Sequence, residues 1–151
     1  MQVIINDGGR AAAGFKGRTG DCVTRAIAIV TGRPYAEIYD RLAQGNATQR
    51  VTKHSRRHTA TRGVRTASHG IWTKRKCFND YMTELGFEWT PTMSIGSGCK
   101  VHLRADELPA GRLVVNVTHH SVAVIDGVIH DTYDCSRGGT RCVYGYWRLE
   151  R

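Results

Sequence analysis

A cysteine that opens a helix, and a histidine and an aspartate facing each other across a hairpin, are the residues of this chain whose types and spacing could do chemistry together. They are Cys22, His120 and Asp131. A thiol in the first turn of a helix lies where free N–H groups and the helix dipole favour an anion, so a thiolate at Cys22 would be stabilised there. An imidazole can take the thiol proton, and a carboxylate can hold that imidazole in one tautomer and stabilise its cation. The chemistry of such a set is nucleophilic attack on a carbonyl carbon. The competing reading of Cys22 is a small residue buried for packing.

The elements that would position these groups follow from local pattern. Asp21 is a cap for a helix from Cys22 to about Thr31, with Ala26, Ile27, Ile29 and Val30 on its apolar side and Gly32 as its stop. A second helix starts at Pro34 and carries Tyr35, Ile38, Tyr39 and Leu42 at helical spacing. A third, from Ile71 to Leu85, would bury Trp72, Phe78, Tyr81, Met82 and Leu85 and end at Gly86. The last third is different. Residues 112–134 (RLVVNVTHHSVAVIDGVIHDTYD) hold two β-branched runs around Asp126-Gly127, a strong hairpin signal, and residues 143–148 (VYGYWR) read as a final strand. Helices followed by strands make an α+β pattern, with N-terminal helices on a C-terminal antiparallel sheet of about four to six strands.

With Asp126 and Gly127 at the centre of a tight turn, Ile125 pairs with Val128, Val124 with Ile129, Ala123 with His130 and Val122 with Asp131. His120 then shares the face of Val122 and Asp131 and lies diagonally within reach of that carboxylate. His119 and His130 point the other way, as does Asp134. A slip of one residue would exchange the faces and bring His119 or Asp134 forward instead.

Composition bounds the rest. A length of 151 residues suits one domain, 1–151. No run approaches the roughly 18 apolar residues of a membrane span, and the start MQVIINDGGR lacks the layout of a signal peptide, so a cytoplasmic protein with no membrane partner is expected. Five scattered cysteines with no export signal point to reduced thiols. Cys99-x2-His102 and Cys135-x6-Cys142, in one chain with His119 and His130, fit no standard zinc framework. The stretch SIGSG (residues 94–98) matches no phosphate-binding loop, so neither a metal nor a cofactor is expected.

The formal charge of +9 is concentrated, because no acidic residue lies between Asp40 and Asp80. Residues 45–70 read as a basic loop insertion. Arg50, Lys53, Arg56, Arg57, Arg62 and Arg65, continuing to Lys76, would attract nucleic acid or an acidic protein surface. A nucleic-acid-binding protein is therefore the second functional class. A solvated loop is its bland counterpart, favoured by the scarcity of aromatic residues before Trp72.

The stretches GDCVTRAI (20–27), HSVAVIDG (120–127) and VIHDTYD (128–134) together resemble papain-like cysteine peptidases, closest to the C39-like and minimal bacterial members. The C-terminal part, with its YGYW ending, also resembles uncharacterised proteins of bacteriophages and mobile elements. The resemblance covers about half the chain. It implies a papain-like fold, Cys22 as nucleophile, His120 as base, Asp131 as orienting acid and a protein or peptide substrate. For a phage-encoded chain it implies the host cytoplasm. It also admits an inactive fold that binds a host protein or nucleic acid. Papain relatives place a Gln about six residues before the Cys to donate to the oxyanion. Here that position is Lys16, which leaves the Cys22 N–H as one donor and Lys16, Arg18 or Thr19 as candidates for the other.

Overall fold

A computed structural model describes residues 1–15, 21–48 and 76–150. In chain order it holds β1 (Val3–Ile5), α1 (Cys22–Thr31), α2 (Tyr35–Thr48), α3 (Lys76–Glu84), β2 (Phe87–Pro91), β3 (Arg112–Val117), β4 (His120–Ile125), β5 (Val128–Asp131) and β6 (Val143–Leu149). The six strands form one sheet in the order β1-β5-β4-β3-β6-β2. The fold is α+β. The sheet is mixed rather than wholly antiparallel, because the N-terminal strand β1 runs parallel to β5 and pairs Ile5 with Asp131.

The helices form where the apolar spacing places them. Gly32, at φ 72°, ends α1 by donating its N–H to the Ala28 carbonyl, a conformation glycine adopts without a Cβ penalty. Pro34 lies just ahead of α2, and its carbonyl accepts from the Glu37 and Ile38 N–H groups. This helix extends to Thr48, so residues 45–48 are helical rather than part of a basic loop. The described part of α3 begins at Lys76 and buries Phe78, Tyr81 and Met82. The expected helix start at Ile71, Trp72 and most of the basic stretch, including Arg50, Lys53, Arg56, Arg57, Arg62 and Arg65, lie outside the described residues.

Both faces of the central strands are covered. Val114, Ala123 and Trp147 pack with Ile27, Val30, Ile38, Phe78 and Met82 of the helices. Leu113, Val115, Val122, Val124 and Ile129 pack on the other side with Leu103, Leu108 and Cys135. Such two-sided burial explains why β3 and β4 read as near-continuous apolar runs. The hairpin turns at Asp126 and Gly127, both at positive φ (48° and 79°), as a two-residue Asp-Gly turn requires. Its register pairs Ile125 with Val128, Val124 with Ile129 and Ala123 with His130. The ladder stops there, short of the expected Val122–Asp131 pair, while on the other edge of β5 Asp131 pairs in parallel with Ile5 of β1.

Two of the cysteines depart from the reduced state expected of all five. Cys99 and Cys142 form a disulfide across a Cα separation of 5.8 Å, while Cys22, Cys77 and Cys135 are free. That bond also removes both outer cysteines of the spacings weighed for zinc. Among the described residues, no helix is long and apolar enough to cross a membrane.

Candidate active site

Cys22 is the first residue of α1, His120 is the first residue of β4 and Asp131 the last of β5. Asp131 is fixed from two directions. Its backbone carbonyl accepts from the Asn6 N–H at 2.9 Å, just beyond β1, and its Oδ1 accepts from the Thr132 N–H at 2.7 Å. Its Oδ2 lies 2.6 Å from His120 Nε2. With Nε2 committed to the carboxylate, Nδ1 is the ring nitrogen open to a thiol. The same His120 ring and the Ser121 backbone N–H act on the Cys22 thiol, and both favour its thiolate.

The electrostatics follow from these contacts. Burial by itself pushes the Cys22 thiol up. The His120 ring, the Ser121 N–H and the Arg25 charge outweigh that effect and hold it below its ordinary value. Burial pulls His120 down, yet hydrogen bonds to Asp131, Cys135 and Cys22 push it up to about 12. Asp131, raised by burial, is held below the usual carboxylate range by His120, the Thr132 N–H and Arg25. All three shifts point the same way, each favouring the charged form of its group: thiolate, imidazolium and carboxylate.

A buried ionic chain supports this arrangement from behind. Arg25, one turn along α1 from Asp21, donates to the Asp21 carboxylate through Nη1 and to Asp131 Oδ1 through Nη2 at 3.1 Å. Asp21 is 2% exposed; its Oδ2 accepts from the Tyr35 hydroxyl at 2.6 Å and pairs with Arg10 Nε at 3.2 Å. Burial, together with the bond to Asp21, raises the Tyr35 hydroxyl above its ordinary value. Asp21 therefore occupies the N-cap position without capping α1 through its side chain. The cause is competition: its carboxylate is taken by Arg25, Tyr35 and Arg10. The first intrahelical bond runs from the Arg25 N–H to the Asp21 carbonyl. The N–H groups of Cys22, Val23 and Thr24 thus precede the ladder and face the end of the helix where an anion is favoured.

The structure brings Cys22, His120 and Asp131 together and leaves the alternatives outside. His119 is exposed in the β3–β4 turn at φ 53°, and Asp134 is exposed and accepts from the Ser136 N–H and hydroxyl. Lys16, Arg18 and Thr19, the oxyanion candidates, lie outside the described residues.

Four groups at the site, Arg25, Cys135, Arg141 and Tyr133, were not read from the sequence. Arg25 had a signal, since it lies at i+4 from Asp21 and i+3 from Cys22. Cys135 had none, because it falls in an irregular segment after β5. It is 1% exposed, and its Sγ lies within 4.8 Å of a His120 ring nitrogen. Arg141 ties that segment down, donating through Nη1 to the Cys135 carbonyl at 3.3 Å and through Nη2 to the Thr118 carbonyl of the β3–β4 turn. Outside the ring of His120 stands Tyr133, 48% exposed, with the two ring centres 5.5 Å apart.

No family model matches the chain, and no curated protein or solved structure matches it.

Proposed function

We propose that this chain is a thiol hydrolase of papain-like type acting on an amide, isopeptide or thioester carbonyl. The observation that carries the reading is a His120 ring anchored on Asp131 and acting on the Cys22 thiol at the start of α1, which it holds below its ordinary value. Cys22 is the nucleophile rather than Cys135, because Cys22 is half-buried at a helix end and Cys135 is enclosed.

In the first half-reaction the Cys22 thiolate attacks the carbonyl carbon, and the carbonyl oxygen takes the negative charge. The backbone N–H of Cys22 is the donor best placed for that oxyanion. As the tetrahedral species collapses, the carbon–nitrogen or carbon–sulfur bond breaks and His120 passes its proton to the leaving group. In the second half-reaction His120 takes a proton from water, the hydroxide attacks the acyl-thioester, and a carboxylic acid leaves as Cys22 is restored. Asp131 stays ionised throughout and holds Nε2, so that Nδ1 faces the reacting sulfur. Tyr133, exposed beside the imidazole, is the wall a substrate side chain meets first.

The reading is tested by the rate at which iodoacetamide alkylates Cys22 at neutral pH, mapped by peptide mass, in the wild type and in His120→Ala. Alkylation is expected to concentrate on Cys22 and to slow at least tenfold in His120→Ala. A Cys22 rate equal in both proteins would overturn the reading and leave an inactive binding fold.

A further inference from the structure

Cys135 is the thiol at the site that the hydrolytic chemistry does not use. Its Sγ, a ring nitrogen of His120 and a carboxylate oxygen of Asp131 all lie within 4.8 Å of one another. Thiolate, imidazole and carboxylate together form the donor set of a borderline-soft divalent cation. Bonds of about 2.0–2.3 Å to such an ion hold its donors roughly 3–4 Å apart, so this cluster needs only a small contraction about Cys135. The Nε2–Oδ2 contact of 2.6 Å would open slightly as the ion takes the place of the shared proton. The outer partners are already in place. Asp131 Oδ1 keeps its bonds from Arg25 and the Thr132 N–H, and Arg141 holds the Cys135 carbonyl.

We propose that Zn²⁺ binds across His120, Asp131 and Cys135 and reversibly silences Cys22. The inference rests on the assignment of Cys22 and His120 as nucleophile and base. Binding forms one Zn–N, one Zn–O and one Zn–S bond. It releases the Cys135 thiol proton and the proton shared by His120 and Asp131 to solvent, with no change of oxidation state. With Nε2 on the metal the ring is held as a neutral imidazole with its proton on Nδ1, so Nδ1 has no lone pair to take a proton from Cys22 or water, the ring no longer serves as an imidazolium acid, and Cys22 loses the cation that stabilises its thiolate. The spacing of cysteines and histidines along the chain does not reveal such a site, because its donors converge only when β4, β5 and the segment after β5 come together.

The experiment uses the full chain in a Cys77→Ala background, so that Cys22 and Cys135 are the free thiols. The readout is the ratio of Cys22 alkylation rates without and with stoichiometric ZnCl₂. A ratio of at least ten, returning to one on adding a chelator, is expected for the parent, and a ratio near one for Cys135→Ala. Equal protection in both would overturn the proposal. A second measurement uses Co²⁺ with Cys22→Ala, where a thiolate-to-cobalt charge-transfer band is expected and its absence would overturn the proposal. This also decides the matter where Cys135→Ala fails to fold. Failure of the hydrolase reading shows separately, as loss of His120-dependent alkylation with no metal added.

Discussion

Cys22 is subject to two opposed influences, burial that favours the neutral thiol and a cationic neighbourhood that favours the thiolate, and the second prevails. The sign gives a pH prediction. A thiol whose value is held below the ordinary 9.0 keeps a larger thiolate fraction than a free thiol as pH falls. Free cysteine at pH 7 is thiolate only to a few per cent. The alkylation rate of Cys22 is therefore expected to fall less steeply than that of free cysteine between pH 9 and 7, and to follow the free-cysteine profile in His120→Ala. Arg25 supplies the second residue-scale prediction. Arg25→Gln leaves Asp21 and Asp131, both 2% exposed, without the cation between them. Breaking a buried pair from one side costs about 3–5 kcal/mol, to be read as a lower denaturation midpoint. The acid limb shows the reverse linkage. Asp131, depressed in the folded state, contributes stability that is present above its unfolded value of about 3.9 and is lost as pH falls through its folded value. Asp131→Asn is expected to lessen that acid sensitivity in urea titrations at falling pH.

At the scale of elements, the hairpin positions the site and β6 supports the sheet behind it. Gly145 on β6 lies beneath Trp89 of β2, where an added Cβ would meet the indole carbons at 2.4 Å. Gly145→Ala is expected to lower stability by about 1–3 kcal/mol through overpacking. In protein that remains folded, the Cys22 alkylation rate should be unchanged, as measured by urea unfolding beside alkylation. The hairpin was legible in the sequence because Asp126-Gly127 selects one turn, and one turn fixes which residues share a face. The start and stop of α1 were legible for a similar reason, since Gly32 ends it locally. What escaped depended on distant parts of the chain. A three-residue strand such as β1 has no period of its own and exists because β5 offers it an edge. Asp21 was read correctly as standing at the N-cap position, but its carboxylate is claimed by Arg25, Tyr35 and Arg10, which no local pattern announces. Cys135 was invisible for the same reason, since its neighbour His120 is 15 residues away and its environment is made by folding.

Across the whole molecule, the Cys99–Cys142 bond closes a separation of 43 residues around β3, β4 and β5, the strands that carry His120 and Asp131. Constraining the unfolded chain over such a loop is worth about 2–4 kcal/mol, so a reductant is expected to lower the thermal midpoint by several degrees, and Cys99→Ser to abolish that response. The central claim is covalent chemistry at Cys22 driven by His120. Its most direct measurement is intact and peptide mass after mixing the protein with an activated acyl ester. The account predicts a transient acyl adduct on Cys22 that disappears by hydrolysis and does not form in His120→Ala. An adduct carried instead by Cys77 or Cys135, or one formed equally without His120, would contradict it.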